Sequence, residues 1–141
     1  MTLESQFLPK ELASNEDLRD IMKDVKPCAY FVENTFGIAL QPGKKSTQVI
    51  DPINGSILVY LTEFVTICTP TWTSDELFKA LPERVQAHIM ARLHDDPIYL
   101  KLDSKEEKLD NALKGSIDLH GSNFLQIWYE ILMFLRKDKL I

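Results

Sequence analysis

A run of thirteen residues, Ser56 to Cys68, constrains this chain more than any other stretch, because β-branched and aromatic residues fill both of its alternating faces. One side carries Ile57, Val59, Leu61, Glu63, Val65 and Ile67, and the other Leu58, Tyr60, Thr62, Phe64, Thr66 and Cys68. Read as one strand it reaches roughly 45 Å. Its backbone donors and acceptors then require a partner of matching length. The candidate is the closing stretch 123–136, where Ile127, Tyr129, Ile131, Met133 and Leu135 alternate with Gln126, Trp128, Glu130, Leu132, Phe134 and Arg136. As a helix the same stretch is apolar nearly all round, with a narrow polar strip at Gln126 and Glu130; as a strand it pairs with 56–68, and the strand is the reading adopted.

The remaining elements follow from caps and breakers. Residues 1–13 read as a loose arm, with Phe7 and Leu8 ahead of Pro9 as docking points. Ser14 and Asp17 stand in capping-box spacing, and Leu18, Ile21, Met22 and Val25 share a helical face, giving a helix over about 15–25 that Pro27 ends. Cys28–Glu33 and Phe36–Leu40 are β-prone runs, a hairpin or one broken strand, and Thr47–Ile53 is a further strand candidate. Asn54 and Gly55 form the dipeptide favoured by a type I′ turn. Thr73, Ser74, Asp75 and Glu76 open a second helix over about 75–93 with the stripe Leu77, Phe78, Leu81, Val85, Ile89 and Leu93, kinked or restarted at Pro82. Ile98–Leu102 reads as a short strand, and Ser104–Leu113 as a short solvated helix or ordered loop. The fold class implied is α+β: a single domain over 1–141, a mainly antiparallel sheet with two long strands (56–69 and 123–136) and the two main helices on one face.

With 141 residues, 45% apolar and 26% charged, the chain suits one modest core. A net charge of -5 with the charges scattered argues against nucleic acid as the main partner. The opening residues lack the basic start and apolar centre of a signal peptide, and no run approaches the roughly 18 apolar residues of a membrane span. Cys28 and Cys68 have no metal or redox spacing and read as reduced thiols inside strands of a cytoplasmic product.

Several residues are of types that carry chemistry. His88, His94, Asp95 and Asp96 are metal-ligand types, but a separation of six puts the two histidines on different sides of a helix. Cys28 or Cys68 with His120 has the ingredients of a nucleophile and base, yet thiols in apolar runs are inert. Gly43, Lys44, Lys45 and Ser46 lack the upstream glycine of a phosphate loop. Glu63 reads as a bulge or a polar interface contact. No catalytic, cofactor-binding or metal-binding residue is expected.

The two long strands leave a second apolar face, with Tyr60 and Phe64 on one and Trp128, Leu132 and Phe134 on the other. Such a face is an interface unless loops cover it. The order of elements resembles the tail-terminator and tail-completion (neck) proteins of tailed bacteriophages: Leu58 to Thr69 running into the helix near Ser74, the turn Leu93, His94, Asp95, Asp96, Pro97, and the close from Trp128, Tyr129, Glu130 and Ile131 to Arg136, Lys137 and Asp138. That resemblance implies a non-enzymatic virion protein without cofactors. Its subunits form a ring, usually of six, that caps the tail tube or joins it to the head. Copies of the chain, tail-tube proteins and head-completion proteins are the implied partners; Tyr60, Phe64, Trp128, Leu132, Phe134, Lys44 and Lys45 are the expected interface residues. Lys101–His120 is longer and more charged than the pattern. The competing class is a small acidic immunity or inhibitor protein that binds a basic toxin or enzyme through Asp75, Glu76, Glu83, Asp95 and Asp96.

Overall fold

The computed structural model describes residues 2–40, 47–61, 66–94 and 104–141. The fold class is α+β. The chain falls into two compact units, Met1–Thr73 and Ser74–Ile141.

The first unit is built on five antiparallel strands, β1 (Ala29–Val32), β2 (Thr35–Leu40), β3 (Thr47–Ile50), β4 (Ile57–Leu61) and β5 (Cys68–Thr71), in the order β4-β3-β2-β1-β5. A tight turn at Glu33 and Asn34 joins β1 to β2, and exposed Glu33 carries its left-handed backbone at φ 54°. Between β3 and β4 the turn at Asn54 and Gly55 is not of type I′, because only Gly55 has positive φ (75°). The chain makes a wider loop instead: Asp51 N donates to Ser56 O, Gly55 N to Asp51 O, and the Asn54 side chain accepts from Ser56 N. Leu58 is the extra residue of a bulge, since Val49 pairs with Val59 but Ile50 with Ile57.

The single long strand expected over 56–69 is therefore corrected. Its two ends go to opposite edges of the sheet, with Leu61 opposite Thr47 and Cys68 opposite Val32. Apolar alternation specifies strand chemistry, not continuity, and a five-residue strand needs no thirteen-residue partner.

The residues expected to form a loose arm are docked. Phe7, Leu8 and Ala13 are buried, Leu8 N donates to Trp72 O at 3.1 Å, and the Thr71 hydroxyl donates to Leu8 O at 2.8 Å. Phe7 closes over Ala29, Phe31 and Phe36, with ring centroids 5.2 Å from Phe36. Two short helices follow, α1 (Lys10–Ala13) and α2 (Glu16–Ile21), and Asn15 rather than Ser14 caps the second by accepting from Leu18 N. Leu18 and Met22 reach the core, and the Trp72 indole donates to Val25 O. On the opposite sheet face Gly37 is required by space: a Cβ there would stand 2.5 Å from Val49 Cγ1 and 2.9 Å from Leu58 Cδ1.

The second unit holds α3 (Ser74–Lys79), α4 (Glu83–Leu93), α5 (Ser104–His120) and α6 (Phe124–Lys137). Of the two readings at Pro82 the restart is the one formed: Pro82 stands at the N-cap of α4, and the Gln86 side chain donates to Leu81 O at 2.7 Å, satisfying a carbonyl that the break exposes. The charged stretch expected to be short is a helix through to His120.

The closing stretch 123–136 is a helix, not a strand. Asn123 caps it by accepting from Gln126 N, and Ile127, Trp128, Ile131, Leu132 and Leu135 form the buried stripe. These positions recur at helical intervals, and Arg136 and Lys137 occupy the last turn where cations suit the dipole. After it, Lys139 adopts φ 57° and Leu140 N donates to Leu135 O, a Schellman-type close. Helix α6 packs on α5 and α3. No helix among the described residues is long and apolar enough to cross a membrane.

Candidate functional site

In the second unit the polar side chains converge at Asp110. His88 and Arg92 stand one turn apart on α4, and Lys114 one turn after Asp110 on α5. His88 Nε2 lies 3.1 Å from Asp110 Oδ1, Arg92 donates to Oδ2 at 2.9 Å, and Lys114 Nζ lies 3.3 Å from Oδ2. Burial alone would raise the Asp110 pKa. The hydrogen bonds from His88 and Lys114, with the charges of Arg92 and Lys114, outweigh burial and hold it below the usual carboxylate value. Both oxygens are engaged, so the group acts as an anchor for two helices rather than as a base.

A second carboxylate ties α5 to α6. Ser116 donates to Glu130 Oε2 at 2.9 Å, and His120 Nε2 lies 2.7 Å from Glu130 Oε1. Serine, histidine and carboxylate are the ingredients of a hydrolytic triad, but there the histidine stands between the other two. Here the carboxylate stands in the middle and takes both contacts, which is not the triad's order.

Beside His88 a cavity of about 80 Å³ is lined by Val85, Leu109, Leu135 and Leu140, with Arg84, Lys105 and Glu106 around it. A shallow groove of about 250 Å³ elsewhere in this unit runs along Phe78, Met90, Leu93, Phe124 and Trp128, where Phe124 stacks on Trp128 at 5.4 Å.

The expected contact set is not assembled as one surface. Tyr60 is 51% exposed on β4. Trp128 and Leu132 are corrected: at 7% and 0% exposure they are core residues of the second unit. Phe134 is half-buried on α6. Phe64, Lys44 and Lys45 lie outside the described residues, as do Asp95, Asp96, Gly43, Ser46, Glu63 and Ile98–Leu102. Of the acidic set, Asp75 pairs with Lys79 at 3.1 Å on an exposed face.

The metal-ligand types do not converge either. His88 is committed to Asp110 and His94 is the C-cap of α4. Among the described residues no group of three or more histidine, cysteine or carboxylate side chains is placed to hold a metal. Cys28 is exposed just before β1 instead of inside a strand, while Cys68 opens β5. Burial pushes the Cys68 thiol up, and Tyr30 is pushed up by burial and then by the two neighbouring thiols.

Sequence reasoning missed Asp110, Arg92, Lys114, Ser116 and Glu130. The available signal was spacing: His88 with Arg92 and Asp110 with Lys114 each repeat at four, which on facing helices brings one carboxylate to three donors. Comparison with protein-family models, with curated proteins and with solved structures gives no match, so the geometry alone carries the functional reading.

Proposed function

We propose that the chain is a non-enzymatic structural subunit that assembles with copies of itself through the β4 edge. The observation that carries this is an apolar edge strand. β4 (Ile57–Leu61) is apolar at all five positions, with no lysine, proline or inward charge, and among the described residues only β3 pairs with it. Free edges of this composition aggregate unless covered. The other edge is protected by Pro70 in β5.

Beside β4 the sheet face opens. Leu40, Gln48 and Tyr60 are cross-strand partners, and Leu40, Ile57 and Tyr60 are each more than two-fifths exposed. Antiparallel pairing of β4 with its own copy joins two five-stranded sheets and sets Ile57 and Tyr60 of each copy beside the other. The bulge at Leu58 shortens the ladder available and places the contact toward Tyr60.

The tail-completion resemblance rests on Leu58 to Thr69 as one strand and on a closing strand from Trp128; with both corrected, it no longer supplies the setting. Its ring argument loses support, because the closing strand is α6 and β5 is a guarded edge. The self-paired β4 favours a two-fold dimer. Light scattering across a concentration series tests this: the expected mass is twice the 16.2 kDa chain, falling to one chain in the double variant Ile57→Lys, Tyr60→Lys. A monomer at every concentration, or a dimer indifferent to both lysines, overturns the proposal; a six-fold mass would restore the ring.

A further inference from the structure

We propose that the cavity beside His88 is a binding site for a short-chain aliphatic carboxylate. Its walls come from three helices and the C-terminal turn: Val85 of α4, Leu109 of α5, Leu135 of α6, and Leu140. The first three are at most 6% exposed, so packing fixes those three walls. All four are aliphatic, which suits an alkyl tail.

Size limits the tail. An engineered apolar cavity of ~150 Å³ accepts the six carbons of benzene. By the same proportion about 80 Å³ holds about three.

Charge selects the head. Exposed Arg84 on α4 and Lys105 on α5 flank the cavity, with Glu106 as the acid beside them. Neither cation has an ion-pair or hydrogen-bond partner among the described residues. The cations that serve the fold are different ones, Arg92 and Lys114, already on Asp110. Two such cations against one carboxylate favour an anion whose tail enters the space, and a guanidinium matches a carboxylate in two parallel hydrogen bonds. The site lies within the second unit and is independent of β4 pairing.

The test uses the full chain, labelled for amide NMR, titrated with sodium butanoate, its neutral isostere butanamide and butylamine. Butanoate is expected to shift the Val85, His88, Leu109 and Leu135 amides saturably, with a dissociation constant on the order of a few millimolar for six heavy atoms. Butanamide binds about tenfold more weakly and butylamine not at all, since the charge-assisted contacts are lost or reversed. The double variant Arg84→Gln, Lys105→Gln removes exposed charges only. It keeps the wild-type melting temperature and loses butanoate affinity about tenfold. Val85→Ile puts one more methylene against the space and weakens butanoate and butanamide together. Absence of saturable shifts overturns the proposal, as does equal affinity for butanoate and butanamide or wild-type affinity in the double variant.

Discussion

Asp110→Asn removes one negative charge at nearly constant shape, and its effect is worked from the three contacts it breaks. Arg92 and Lys114 are 30% and 54% exposed, so water screens what they lose. His88 and Asp110 are both under 10% exposed, and their contact is the one without solvent to replace it. Breaking one partner of a buried pair typically costs about 3–5 kcal/mol, and the screening of the two cations places this case near the lower end, about 3 kcal/mol. Urea unfolding reads it through Trp128, in a Trp72→Phe background that leaves the second unit with the sole indole. At a slope of about 1.5 kcal/mol per molar the midpoint falls by about 2 M. The pH dependence supplies an internal control. Because the folded pKa is depressed, the stabilisation is complete above the unfolded carboxylate value of about 3.9 and is lost as pH falls through the folded value. The gap between wild type and variant therefore closes as pH falls through the carboxylate range. A midpoint shift below about 0.5 M, or a gap that ignores acid, would refute the anchoring role of Asp110.

Two further perturbations probe the first unit. Gly37→Ala drives a methyl into Val49 and Leu58, and since branched Val49 cannot swing aside the expected loss is about 1–3 kcal/mol, read as a lower melting temperature; an unchanged melt would mean the sheet face is looser than drawn. Glu33→Gly relieves a left-handed backbone at an exposed turn, and after the larger entropy of the unfolded glycine is subtracted it stabilises by up to about 1 kcal/mol in urea; destabilisation would show that Glu33 contributes more than its φ costs.

Local chemistry was legible where one residue type has one use. Pro82 announced a kink or restart, and the restart formed; the Cys28–Glu33 and Phe36–Leu40 runs announced a hairpin or one broken strand, and the hairpin formed; Leu18 with Met22 announced a buried face. Long-range pairing was not legible. Residues 123–136 fit both periods because nearly every position is apolar, and the deciding signals were small ones at the ends: Asn123 as cap and two cations in the last turn. The demand for a long strand partner had its source in the length assigned to 56–68, so a single error in continuity produced a second in α6. Asp110 stayed hidden for a different reason. A carboxylate among many charges reads as solvated until the helix facing it is known.

The tie between Leu8 and the Thr71–Trp72 pair spans nearly the whole of the first unit in sequence. A nascent chain leaving the ribosome exposes the opening segment long before its dock is complete, so Leu8 waits in water until β5 has been made. Contacts this distant along the polymer slow folding through the entropy of closing the loop. Until that closure, the hairpin strands already synthesised show their aromatic side to other nascent chains, and the rate at which the last strand arrives sets how long that exposure lasts.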